Sequence, residues 1–224
     1  MSFLSKIFGR KAAVPVTPAE EPCEPGMNYL IIGLGNIGAE YAGTRHNMGF
    51  MVLDAWAQAS NLVFRTERYG DIAEVSFKGR KMTLLKPSTY MNLSGKAVRY
   101  WQTKLGLPLE NLLVICDDVN LPFGTVRMRK RGSSGGHNGL ENITELLQSQ
   151  DYARIRMGIG NDFPIGGQID FVLGRLSEDQ RAEMPALCEK VIEGIKAFVT
   201  VGPDRAMNTF NTKSTKNTET AEKG

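Results

Sequence analysis

Short apolar runs and longer amphipathic segments alternate through the middle of the chain. Tyr29-Leu30-Ile31-Ile32 and Leu112-Leu113-Val114-Ile115-Cys116 are the clearest apolar runs. Runs of this length bounded by turn-forming residues suit buried strands. The pattern predicts strands over 28–33, 72–78, 81–86, 111–116, 124–130 and 153–159, and helices over 47–59, 94–105, 138–148 and 177–199. Strands alternating with helices of this length imply a mostly parallel sheet covered by helices on both faces. The 72–78 and 81–86 pair, joined by Lys78-Gly79-Arg80, reads instead as a hairpin, which makes the sheet mixed. The expectation is therefore an α/β fold: one domain over residues 27–212, built on a mixed, mostly parallel, twisted sheet.

The flanks break this rhythm. Residues 1–26 balance three basic against three acidic side chains and carry four prolines between Pro15 and Pro25. That composition reads as a disordered extension. Its amphipathic start, through Phe3, Leu4, Ile7 and Phe8, is also compatible with an organelle-targeting peptide. Residues 213–224 read as a polar tail. The 224 residues, with 42% hydrophobic and 23% charged side chains, describe a globular protein with a sizeable core, and the net charge of +3 names no partner. Cys23, Cys116 and Cys188 have neither metal-site nor disulfide-framework spacing, which suits a reducing cytoplasm. No apolar run approaches the roughly 18 residues of a membrane span.

Ligands of open α/β sheets bind beyond the carboxyl ends of the strands. Four such ends carry chemistry here: Gly33 to His46, Lys86 to Gly95, Asp117 to Asn120, and Gly132 to Asn138. Their convergence on one crevice is the central expectation. Gly33-x-Gly35-x-x-Gly38 after a strand matches a dinucleotide fingerprint, with Asp54 near the offset of a ribose-binding acid. That motif needs a helix starting at its glycines. Here about eight residues intervene, and Asp54 falls inside the predicted helix.

His46 follows the glycine loop, between Arg45 and Asn47, and is the candidate general base. Asp117 directly follows an apolar strand and is its candidate partner, ahead of Asp118. His137 stands among glycines with no acid beside it in sequence, so a smaller role is expected for it. Asn92, between Met91 and Leu93, suits either a substrate contact or turn chemistry; Asn138 suits a substrate contact or a helix cap; Ser94 reads as an N-cap. Neither Ser88 nor Ser94 lies in a nucleophile elbow. Arg127-Met128-Arg129-Lys130-Arg131 ahead of Gly132-Ser133-Ser134-Gly135-Gly136 is a local footprint for phosphate, or else a charge-guarded edge strand.

Taken together, these segments, with Arg154-Ile155-Arg156-Met157-Gly158-Ile159-Gly160, resemble the bacterial-type peptidyl-tRNA hydrolase family from about Asn28 to Asn211. The resemblance implies cleavage of the ester between a peptide and the 3′-ribose of tRNA by a cytoplasmic monomer, without metal or cofactor and without a membrane partner. The family's catalytic histidine falls on His46 and its supporting acid on Asp117. Its substrate-contacting asparagines fall on Asn36, Asn92 and Asn138. Tyr41 and Met91 match positions lining the peptide site. The positions that hold the tRNA end fall on Arg129 and Arg156, with Arg127 close by. Ile37, where many members have proline, and Asn120, where some have an acid, depart from the pattern. Residues 1–26 lie outside it. An RNA-binding module that keeps the fold without turnover is the alternative, and retention of His46, Asp117 and the three asparagines argues against it.

Overall fold

The strand Asn28–Gly33 (β1) is buried on both sides, so its side chains feed two separate cores. Ile31 joins the cluster formed with the helices Met48–Ala59 (α1) and Glu178–Val201 (α5). Leu30 and Ile32 join the opposite cluster, with the helices Ser94–Lys104 (α2) and Asn138–Leu147 (α3). Two-sided burial is why this strand reads as a continuous apolar run instead of an alternating one. The protein is described by a computed structural model covering residues 28–212; the readings of the two flanks fall outside the described residues.

Six further strands complete the sheet: Arg65–Glu67 (β2), Gly70–Phe77 (β3), Arg80–Pro87 (β4), Leu112–Asp118 (β5), Val126–Arg129 (β6) and Ala153–Gly158 (β7). Their order is β2-β3-β4-β1-β5-β7-β6. The four inner strands β4, β1, β5 and β7 are parallel. β3 runs antiparallel to β4 through Lys78 and Gly79, both at positive φ, as the expected hairpin requires. β6 closes the other edge antiparallel to β7. The sheet is mixed and mostly parallel, with helices on both faces, as expected.

Three elements escaped the sequence reading: β2 and the helices Gln168–Leu173 (α4) and Pro203–Thr212 (α6). β2 is three polar residues, and α4 is six residues after a glycine pair, too short for either period to register. α6 starts at Pro203 behind Gly202, whose φ of 80° breaks the chain from α5. It packs through Ala206 and Phe210 within an otherwise polar stretch. The 124–130 strand shortens to four residues because the turn at Gly124, φ 81°, is still closing at Thr125, whose N–H donates to Pro122.

The chain leaves β1 toward β4 on one side and returns to β5 on the other. The carboxyl ends of β1 and β5 therefore flank the switch point where open α/β sheets bind ligands.

Candidate active site

The β1–α1 loop supplies His46. A short 3-10 turn, Arg45–Asn47, leads into α1 and buries the imidazole. The turn is pinned from outside: the Arg45 N–H donates to Gly174 at 2.9 Å, and its guanidinium stacks 4.5 Å from the Phe171 ring centroid. The loop glycines serve packing, not phosphate. A Cβ on Gly33 would collide with the Gly49 carbonyl, and one on Gly35 would sit 2.6 Å from the Phe50 ring. Asp54 pairs with Lys86 at 2.6 Å on the outside of α1. The dinucleotide reading thus loses both of its parts.

Asp117 and Asp118 end β5 on opposite sides, as strand alternation requires. Asp117 accepts from His46 Nδ1, at 2.9 Å to Oδ1 and 3.0 Å to Oδ2. Asp118 pairs with Arg156 at 2.9 Å and accepts from Asn120 N at 2.9 Å. Both carboxylates are buried and line the same cavity, and Asp117 is the one that reaches the two histidines. Burial pushes its pKa up, but the charges and hydrogen bonds of His137 and His46 outweigh that and hold it well below the usual 3.8.

His137 corrects one expectation. It does have an acid, and it is the same one: Nε2 lies 3.1 Å from Asp117 Oδ1, with the two imidazole centroids 4.9 Å apart. The partner lies 20 residues away in sequence, beyond the reach of local reading. The two rings are nevertheless not equivalent. His137 Nδ1 accepts from the backbone N–H groups of Gly139 (3.1 Å) and Leu140 (3.3 Å). Accepting at Nδ1 puts the proton of the neutral ring on Nε2, which donates to Asp117. Both nitrogens are committed. His46 donates through Nδ1 to the same carboxylate, which leaves its Nε2 bare and able to accept a proton.

His137 is also the N-cap of α3, so Asn138 is not; Asn138 is the exposed first helical residue. The cap role expected of Ser94 falls away too. Leu93 holds that position, and the fully buried Ser94 hydroxyl donates to the Met91 carbonyl at 2.8 Å. Such a hydroxyl is no nucleophile. Cys116, pushed up to about 12 by burial, is an inert thiol.

Asn36 is built into a chain of amides. The Asn47 side chain clasps its backbone at both ends, 2.8 Å from N and 3.0 Å from O. Its own Oδ1 accepts from Met91 N at 2.8 Å. Among the described residues its NH2 has no hydrogen-bond partner, so that group is open to donate to a ligand. Buried Met91 packs its sulfur on the start of α3, where a Cβ on Gly139 would stand 2.7 Å away. Asn92, next to it, is exposed, and Tyr41 is half-buried at the end of the turn Ala39–Tyr41.

His46, Asp117, His137 and Asn138 line a cavity of about 60 Å³, closed on one side by Gln168, Ile169 and Val172 of α4. It has room for a few water molecules and none for a peptide. Asn36, Tyr41, Met91 and Asn92 lie outside its lining. The α4 residues were missed by sequence reading, which had no element there to place them on.

His46, Asp117 and His137 are also the described group that could hold a metal ion, their ligand atoms lying within 4.8 Å of one another. Tetrahedral zinc with bonds of about 2.0–2.1 Å spaces its ligand atoms roughly 3.3–3.4 Å apart. Contacts of 2.9 and 3.1 Å to a shared carboxylate oxygen are hydrogen-bond separations.

The phosphate footprint is partly spent. Arg127 and Arg129 share a face of β6, alternating with buried Val126 and Met128. Arg127 faces Arg156 across the β6–β7 ladder, as the neighbouring-strand expectation required. Arg156, however, is anchored to Asp118 and to the Ser133 and Ser134 carbonyls, at 2.6 and 3.2 Å. Lys130 pairs with Asp204. Arg129 is exposed and bonds only its neighbour's carbonyl, that of Met128.

A histidine poised between a buried carboxylate and an open nitrogen, flanked by amides at the switch point of a mixed sheet, agrees with what comparison finds. The family model described as "Peptidyl-tRNA hydrolase" matches residues 30–219. The chain belongs to the peptidyl-tRNA hydrolase family. It is 58% identical over 187 residues to the peptidyl-tRNA hydrolase of Bacteroides fragilis, which covers 84% of this chain and all of that protein. The relative from Cytophaga hutchinsonii is 56% identical over the same shares. A crystal structure of peptidyl-tRNA hydrolase from Acinetobacter baumannii superposes with a TM-score of 0.78 at 30% identity, covering 84% of this chain and 96% of that one.

Proposed function

We propose that the chain hydrolyses the ester between a peptide and the 3′-terminal ribose of tRNA, releasing free tRNA for translation. One observation carries the mechanism: His46 Nδ1 is tied to Asp117 while His137 Nδ1 is consumed by the α3 cap. His46 is then the general base. Its bare Nε2 takes a proton from water as the water attacks the ester carbonyl. Asp117 holds the tautomer and stabilises the imidazolium that forms. His137 is a positioning residue that orients the carboxylate.

The developing oxyanion needs donors. Asn36, with its acceptor occupied by Met91 N, supplies an N–H toward the carbonyl oxygen. Asn138, on the cavity wall, and Asn92, beside Met91, hold the water and the ester in line. Tyr41 and Met91 line the path of the peptide. Arg127 and Arg129 hold phosphates of the acceptor end, while Arg156 braces the neighbouring Ser133-Ser134 loop against Asp118. The reaction needs only proton transfer and preorganised donors, and the protein works as a cytoplasmic monomer with no metal.

The test is turnover of purified peptidyl-tRNA. The wild-type chain should release tRNA, and His46→Ala should lower kcat by about 10²–10⁴-fold while keeping its fold by circular dichroism. Near-normal turnover by a folded His46→Ala protein would end the assignment.

A further inference from the structure

Away from the active-site cavity, one face of α2 collects cations without any counter-charge. α2 contains Lys96, Arg99 and Lys104 and no acidic residue, so it has no intrahelical ion pairs. α5, by contrast, pairs Lys196 with Glu193 and Arg181 with Glu178. The two-residue turn between β2 and β3 adds Arg68. Its carbonyl is fixed to α2 by Trp101 Nε1 at 3.0 Å, and its guanidinium lies 5.2 and 5.3 Å from the centroids of Tyr69 and Tyr100. Together these residues line a cleft of about 590 Å³ with no carboxylate in its wall. All four cations are exposed, and among the described residues none has an acidic partner within ion-pair distance.

An exposed cluster of unpaired cations interleaved with aromatic rings is the electrostatic footprint of a nucleic-acid backbone. Its position favours the same reading. Exposed Asn92 follows Met91, whose N–H donates to Asn36, and Lys96 lies one helical turn further on. Lys104 lies another eight residues along, about 12 Å by helical rise. Arg68 sits at the β2 edge of the sheet, opposite the β6 edge that carries Arg127 and Arg129. Five strand intervals of about 4.8 Å separate β3 from β6, roughly 24 Å. The two basic regions are thus separate surfaces on either side of the site, and the α2 surface is the one whose cleft has no carboxylate in its wall.

We propose that the α2 face, through Arg68, Lys96, Arg99 and Lys104, is a second RNA-binding surface that holds backbone phosphates of the tRNA body while the ester lies at His46. The inference rests on peptidyl-tRNA being the substrate. Each phosphate neutralised there releases counterions, so the contact contributes to affinity and to its salt dependence.

The experiment uses the full chain and its Lys96→Ala/Arg99→Ala variant, both side chains being exposed. Binding of deacylated tRNA is followed by fluorescence anisotropy over a salt series, and kinetics are measured on peptidyl-tRNA and on a peptidyl-adenosine ester. The variant should bind deacylated tRNA about tenfold more weakly, with its log–log salt slope shallower by about 2. KM for peptidyl-tRNA should rise in step at constant kcat, and hydrolysis of peptidyl-adenosine should stay within twofold of wild type. Unchanged tRNA affinity and slope would overturn the inference, including the case where KM rises only through the peptide. Equal loss on peptidyl-adenosine would overturn it too, by placing the effect in the site. If the wild-type chain binds tRNA but does not turn over peptidyl-tRNA, the proposed function fails, and the binding series still decides the surface.

Discussion

The β1–α1 loop and the start of α3 each deliver a histidine to Asp117, at 2.9 and 3.1 Å, and only one of them leaves a nitrogen free. The difference lies on the far side of each ring. At α3 the helix start has unsatisfied N–H groups, and His137 Nδ1 satisfies two of them. At the β1–α1 loop the 3-10 turn carries the chain into α1 with no side-chain cap, so His46 has no such duty. Proximity to the acid therefore does not choose the base. The demand of the neighbouring backbone does.

The largest expected effect breaks this symmetry. His46→Ala removes the base. His137→Ala removes a cap and one donor to the carboxylate, and should lower kcat by about tenfold or less while destabilising the fold by about 1 kcal/mol. His137→Asn restores a capping oxygen without reaching Asp117. It should recover the melting temperature and not the kinetic loss. If His137→Ala costs kcat as much as His46→Ala, the tautomer argument is wrong.

Asp117→Asn comes next, at roughly 10²-fold in kcat. Without the negative charge the imidazolium is harder to form, so the acid limb of the kcat/KM profile should move to lower pH. Stability gives a second readout. A carboxyl whose folded pKa is depressed stabilises the fold above its unfolded value, near 3.8, and loses that contribution as pH falls further. Acid unfolding below about pH 4 should accordingly be blunted in Asp117→Asn relative to wild type. Asp118→Asn, which disturbs the Arg156 and Asn120 contacts, should cost stability more than rate.

The same contrast separates what could be read in the sequence from what could not. Three of the chemistry-bearing stretches, at the ends of β1, β4 and β5, were legible because each follows a largely apolar strand, and the switch-point rule brings such parallel ends together. Gly132 to Asn138 instead follows the basic β6, antiparallel to β7, and its loop runs past Arg154 and Arg156 of β7 on the way to His137. His46 and Asp117 were legible for that reason, 71 residues apart. The acid beside His137 was missed because Asp117 reaches it from the end of β5, 20 residues away in sequence, which leaves no trace in neighbouring residues. Ser94 was read as a cap by residue type, and a cap was the alternative to a substrate contact for Asn138. The caps went to Leu93 and His137 because the preceding loops enter each helix one residue earlier. α4 was invisible at six residues, and with it the wall that covers the cavity.

The asparagines sharpen the comparison at smaller cost. Asn36 is woven into both loops, so Asn36→Ala should lower stability by about 1–3 kcal/mol through the orphaned Met91 N–H, and lower kcat as well. The Asn138 side chain makes no hydrogen bond among those found for the described residues and is exposed. Asn138→Ala should reduce kcat with a melting temperature within about a degree of wild type. A thermal loss without a kinetic one would return Asn138 to a purely structural role.

The smallest effects belong to the β6–β7 edge, where exposed and anchored arginines can be told apart. Arg129 has no acidic partner among the ion pairs of the described residues, and its one hydrogen bond is to the adjacent Met128 carbonyl. A side chain so placed can turn to a phosphate with little structural penalty. Arg129→Ala should raise KM for peptidyl-tRNA a few-fold and make its salt slope shallower by about 1, with the melting temperature unchanged. Arg156 is different: its two terminal nitrogens hold Asp118 and two carbonyls of the loop that leads to His137. Truncating it leaves a buried Asp118 without its cation and loosens that loop. Arg156→Ala should therefore lower stability and kcat together, and peptidyl-adenosine should suffer as much as peptidyl-tRNA. Should Arg156→Ala instead change only KM and the salt slope, its ion pair is dispensable and the arginine swings to the RNA. The resemblance assigned these two arginines one role; the ion pair at Asp118 is the reason to expect two.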